Sequence, residues 1–150
     1  MIFNFTQVFG LWALLAPSAL AYTKLYGKEW EDKCSHTTWE DNTSNESPRA
    51  DDCLQLAKNW QDKHEGWFLT GARPDVYAEL DKFNTCGFGV MPVLKEGIKA
   101  SNFWFGSNDL RDLVFDATMR FKNRGGRIGA TGVAHCGDTE VRWGIYHTPI

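Results

Sequence analysis

Five side chains of this sequence are of the types that cleave a phosphodiester by general acid–base catalysis: His36, Glu40, His135, Arg142 and His147. RNA cleavage of that kind needs a carboxylate and an imidazole flanking the ribose 2′-hydroxyl, with an arginine on the phosphate. No local motif binds the five together. Strand alternation turns His135 away from the neighbouring Cys136 and gives His147 the parity of Val141, Trp143 and Ile145, so the pattern does not bring the two imidazoles together. His135 therefore reads as a surface residue, His147 as a terminal one, and no catalytic residue is assigned. Asp109 and Asp112 open a helical stretch, where a cap and a partner for the helix dipole explain them better than a metal site. Gly125-Gly126-Arg127 is too short for a phosphate loop and lacks the following Lys-Ser or Lys-Thr. No cofactor is expected.

The sulfur chemistry is more definite. Cys34, Cys53, Cys86 and Cys136 are even in number, and none belongs to a C-x-x-C pair or lies near a regularly spaced histidine pair, so two disulfides are expected rather than a metal. Four cysteines allow three pairings. The preferred one is Cys53 with Cys86 and Cys34 with Cys136, because closing the long outer loop removes most unfolded-state entropy. An oxidising route fits Met1–Ala21, in which the apolar run 8–16 breaks at Pro17 before the small-residue tail Ala19-Leu20-Ala21. This is the pattern of an export signal cleaved after Ala21. A membrane anchor would need ~20 uninterrupted apolar residues. The protein is accordingly expected to be secreted, with residues 22–150 as one domain and no stable membrane insertion.

The elements that must position these side chains follow from periodicity. Ser47-Pro48 predicts a helix over about 48–62, with Ser47 as cap and Ala50, Cys53, Leu54, Ala57 and Trp60 as its apolar stripe. Trp67–Thr70 predicts a short strand, and the polar stretch 71–82 a loop. Alternation over 83–90 places Cys86, Phe88 and Val90 on one face of a strand that Pro92 stops. Asn102–Gly106 reads as an edge or connecting strand. A second helix, capped within Ser107–Asp109, turns Leu110, Leu113, Val114, Ala117 and Phe121 to one side and ends at Gly125-Gly126. Strands over 127–136 and 140–147 form a closing hairpin. In it Ile128, Ala130, Gly132, Ala134 and Cys136 share a face of small groups, while Arg142 and Tyr146 point away from Val141, Trp143 and Ile145. The fold class is α+β: an antiparallel sheet with two helices packed on one face and two disulfides.

The formal net charge is −3, unchanged by removal of the export segment, with acids and bases interspersed. That balance gives no electrostatic footprint for nucleic acid or an anionic membrane. Between Cys34 and Cys53, the acceptor sequons at Asn42 and Asn45 predict glycosylation on a surface loop. Most of the seven Trp and ten Phe supply core bulk. Trp67, Trp104, Arg142 and Tyr146 are candidates for an exposed binding surface.

The order Cys34, Trp39, Asn42-Thr43-Ser44, Ser47-Pro48, Asp52-Cys53, Thr85-Cys86-Gly87-Phe88, Gly106, Asp109, Leu110, Leu113, Phe121, Arg127-Ile128-Gly129, Gly132, Cys136, Val141-Arg142-Trp143 resembles a known family. It is the fungal secreted effector domain named after the second extracellular protein of a leaf-mould pathogen, and the resemblance covers nearly all of the mature chain. It implies a non-enzymatic secreted fungal protein that binds a host target and induces cell death or modulates defence. The layout is also similar to the smut-fungus type-four killer toxin, an α/β sandwich. That likeness implies an alternative, an antimicrobial protein acting on competitor cells or their ion channels, although the lysine-bearing loop of such toxins has no clear match here. A small secreted ribonuclease is the remaining alternative.

Overall fold

The computed structural model describes residues 21–150. The export segment expected over Met1–Ala21 lies outside them, apart from Ala21. The expected α+β class holds, with antiparallel sheets, two helices and the preferred disulfides, Cys34–Cys136 and Cys53–Cys86. The strands divide between two sheets. The smaller contains β1 (Ala21–Tyr26), β4 (Glu65–Ala72) and β7 (Ser101–Gly106), in the order β1-β4-β7. The larger runs β2-β8-β9-β6-β5, made of β2 (Cys34–Thr37), β8 (Ala130–Cys136), β9 (Thr139–His147), β6 (Cys86–Val93) and β5 (Ala78–Phe83); β3 (Glu40–Asp41) also pairs with β8. All pairings are antiparallel.

Helix α1 (Ala50–Asn59) buries Ala50, Cys53, Leu56 and Ala57 and carries Asp51 and Asp52 in its first turn, where carboxylates favour the positive end of the dipole. Its cap corrects the sequence reading. Ser47 is not the cap: its Oγ accepts the Ser44 N–H at 2.8 Å in a turn, and the helix starts from Arg49, whose N–H donates to Thr85 Oγ1 at 2.9 Å. Asp52 accepts from Thr85 Oγ1 at 2.6 Å, tying the helix to the start of β6 beside the Cys53–Cys86 bridge. Helix α2 (Ser107–Phe121) buries Leu110, Leu113, Val114 and Ala117 as its periodicity predicts. The helices pack on each other, α1 also against β5 and β6 and α2 against β7.

The core joins both sheets. Phe88 of β6 lies 5.8 Å from Phe105 of β7, and Trp143 of β9 stacks on Phe88 at 6.4 Å. Rings of this size dominate the apolar area removed from water. Two strands exceed their expected limits. The loop expected over 71–82 contains β5, in which Ala78 and Leu80 are buried between charged neighbours. Pro92 does not stop β6 but pairs opposite Val141. The pairing of β5 ends at Val90, so Pro92 has a neighbouring strand on one side only and its missing N–H breaks no ladder bond there.

The small-residue face of β8 is a close-approach surface. A Cβ on Gly132 would stand 2.1 Å from the Thr38 carbonyl and 2.6 Å from the Trp143 ring. The backbone neighbour cannot rotate away. Gly132→Ala is therefore expected to destabilise the fold by about 3 kcal/mol, the upper part of the range for overpacking, read as a lowered urea midpoint.

Candidate functional site

The five residues that could have formed an acid–base centre are not all brought together: Glu40 of β3, opposite Thr131, and Arg142 both act on Tyr77, while His36 and His147 lie elsewhere. His135 and Glu140 are cross-strand partners at one end of β9, with Nδ1 and Oε1 3.8 Å apart and both side chains exposed. His147 pairs with Cys86 at the other end. Seven residue steps of strand separate the two ends, about 24 Å at ~3.4 Å per residue. His36 sits in the irregular part of β2 with φ of 28°, beside the N-terminal half of α2. Arg142 lies half-buried on the outer face of the large sheet, between Val133 and Met91.

A groove of about 290 Å³ opens between β2 and α2, lined by Asp32, His36, Trp39, Asp109, Asp112 and Asp116 among others. Its deepest charged group is Asp109, 8% exposed. The carboxylate accepts the N–H groups of Lys33 (2.8 Å), Gly106 (2.8 Å) and Cys34 (3.2 Å). The cap expected within Ser107–Asp109 thus has Gly106 in the cap position, and Asp109 also clamps the segment that enters β2. Burial pushes its pKa up from 3.8 to about 6; the three N–H donors oppose this, and nearby Asp32 adds to it. No group of three or more His, Cys, Asp or Glu among the described residues is arranged to hold a metal. Geometrically this is a structural clamp at the floor of an acidic groove.

The aromatic candidates fall on different surfaces. Trp67 is fully buried and packs on Trp60 at 4.8 Å, which corrects its assignment as an exposed contact residue. Parity was ambiguous there, because both Trp67 and Phe68 are apolar and either could face inward. Trp104 is 45% exposed and belongs to a row with Phe68 (4.8 Å) and Trp30 (6.3 Å), the last capped by the Lys33 ammonium at 4.7 Å. The ring planes are inclined to one another by 23° and 30°.

Tyr146 is half-buried on the outer face of the large sheet, where sequence reasoning missed its companion Tyr77. The two rings lie 5.8 Å apart at 32°. Beneath them is glycine backbone. A Cβ on Gly87 would meet Tyr146 at 2.7 Å, and one on Gly144 would meet Tyr77 at 2.8 Å. The Tyr146 hydroxyl donates to Glu79 at 3.0 Å, and burial together with the Glu79 carboxylate raises its pKa above the ordinary phenol value. The alternation Ala78/Leu80 was the available signal for β5, and with it for Tyr77. Asn42 and Asn45 are both exposed, and Asn42 Nδ2 donates to Thr131 Oγ1 at 2.8 Å.

Comparison with known proteins places the chain in context. It is 36% identical over 118 residues to a Penicillium expansum protein named probable chitinase LysM18, covering 76% of this chain and 8% of that protein. It is 26% identical over 116 residues to the secreted chitinase LysM12 of the same species, covering 75% of this chain and 7% of that protein. The chain thus spans less than a tenth of the length of these relatives. The Hce2 model, described as a pathogen effector and candidate necrosis-inducing factor, matches residues 33–136. That span starts one residue before Cys34 and ends on Cys136, so its limits are those of the long cross-link that joins β2 to β8. What the match shares with the structure is a disulfide-framed scaffold including both helices, the inner face of β8 and the Asp109 clamp, and on that basis the chain belongs to the Hce2 family of pathogen effectors.

Proposed function

We propose that this chain is a secreted, non-enzymatic fungal effector that binds a target outside the cell and induces host cell death or alters host defence. The observation that carries this reading is the coincidence of the matched effector span with the Cys34–Cys136 cross-link. A cross-linked scaffold of this kind suits an oxidising compartment. The wide separation of His135 and His147 along β9 supports the same view against a ribonuclease. Glycosylation at the exposed Asn42 and Asn45 would suit such a route.

A second reading draws on the names of the relatives, a probable chitinase and a secreted chitinase. A domain carried by such proteins would work at a polysaccharide-bearing wall, as a killer-toxin-like antimicrobial protein directed at competitor cells. The test of the two readings is purified secreted protein infiltrated into leaves and added to fungal cultures. Necrosis supports the first and growth arrest the second; no response across a broad panel of plants and fungi counts against both. RNA incubated with the same preparation is expected to stay intact. Cleavage that is lost in His135→Ala or His147→Ala would restore the ribonuclease.

A further inference from the structure

We propose that the outer face of the large sheet, at Tyr77 and Tyr146, is a saccharide platform that takes a β-1,4-linked N-acetylglucosamine chain. The proposal deepens the second reading above by naming the ligand at the wall, and it rests on that reading for the choice of sugar. The geometry is its own argument. Gly87 and Gly89 of β6 and Gly144 of β9 present no side chains, so both rings lie down on the sheet backbone. The Tyr146 ring thereby packs on Gly87 and Gly89 and the Tyr77 ring on Gly144, each residue remaining only half-buried. In the Trp30, Trp104 and Phe68 row, by contrast, the central Trp104 ring packs against an aromatic ring on each neighbour.

The two rings, 5.8 Å apart and tilted by 32°, form a stepped apolar strip, and polar groups border it. Glu79 holds the Tyr146 hydroxyl and so fixes that ring before any ligand arrives, which lowers the ordering cost of binding. Arg142 lies close enough to Tyr77 for its charge to act on the phenol, as does Glu40. The arrangement supplies an apolar surface with a few placed donors and acceptors, the composition of a small-ligand site. A pyranose with all its ring substituents equatorial has the complementary shape, with C–H groups on its faces and polar groups on its rim. The acetamido group adds a carbonyl for the Arg142 guanidinium and an N–H for a carboxylate at the rim.

The measurement is titration calorimetry of the purified secreted protein with the hexamer of β-1,4-linked N-acetylglucosamine, alongside retention on insoluble chitin. The wild type is expected to bind both. Tyr77→Ala and Tyr146→Ala should each weaken hexamer binding by about tenfold or more, as loss of a central aromatic contact does. Tyr146→Phe keeps the ring and should cost less than about threefold, the scale of one exposed hydrogen bond. It guards against a folding failure in the alanine variants. Trp104→Ala should bind as the wild type does. The proposal is overturned by a wild type that does not bind, by binding that survives Tyr77→Ala, or by loss in Trp104→Ala alone. Equal binding of the β-1,4-linked glucose hexamer would overturn the assignment to an N-acetylated chain. Hexamer binding without leaf necrosis or growth arrest would keep the platform and remove the proposed functions, so the two failures are distinguishable.

Discussion

Replacing Cys34 and Cys136 together by alanine is expected to remove about 4.7 kcal/mol of stability, the chain-entropy value for a cross-link closing a loop of about 100 residues. The separation along the chain is 102 residues for this bridge and 33 for Cys53–Cys86, whose loss should cost about 3.8 kcal/mol by the same relation. Either figure is a large share of the ~5–15 kcal/mol by which a domain is usually stable. The ranking is the informative part. Cys34–Cys136 pins β2, the outermost strand of its sheet, to β8, whereas Cys53–Cys86 joins α1 to β6 within the core. Urea unfolding of the two double-alanine variants, each with one bridge intact, measures both costs. A smaller loss for Cys34→Ala/Cys136→Ala than for Cys53→Ala/Cys86→Ala would show that loop length does not govern the stabilisation here.

The second large effect belongs to Asp109. Asp109→Ala leaves the N–H groups of Lys33, Cys34 and Gly106 without their acceptor. Water from the adjoining groove can recover part of the loss, and the net cost should be about 3 kcal/mol. Asp109→Asn keeps one oxygen acceptor and should cost much less. The two variants also separate the charge from the hydrogen bonds through pH. Below the ordinary value of 3.8 the carboxyl is protonated in both folded and unfolded chains and contributes no pH dependence. Between 3.8 and about 6 the unfolded chain has released this proton while the folded chain retains it, so stability falls as pH rises. The fall amounts to roughly 3 kcal/mol and levels off above the folded-state value. Denaturation series from pH 3.5 to 7 should therefore show wild type losing stability relative to Asp109→Asn across that window. Parallel curves would mean that the three N–H donors offset burial in full, and a rise relative to Asp109→Asn that they outweigh it.

The legible parts of this chain were those in which a local rule had one solution. Alternation over Cys86, Phe88 and Val90, and over Val141, Trp143 and Ile145, assigned inner faces that are buried as read. The α2 stripe worked because its charged residues leave a single apolar side. Where two solutions existed, local reading failed. Trp67 and Phe68 are adjacent apolar residues, so nothing in their order says which one faces the helices. Pro92 breaks a strand only where the neighbour on the side of its ring nitrogen needs an N–H donor, and β5 had already ended its pairing there. Ser47 had the chemistry of a cap, but a turn to Ser44 took its oxygen.

By itself the sequence determined the class of the fold, the family scaffold and a preference for the two cross-links, because cysteine order, glycine placement and residue period act over short stretches of chain. Only the tertiary structure decided which side chains share a surface. It sent His135 and His147 to opposite ends of β9, made Asp109 a clamp for a segment 76 residues away, and laid Tyr77 beside Tyr146 on a floor of glycines. The physical reason is that such neighbours are set by strand register and sheet order, which depend on the packing of the whole core and not on any local pattern.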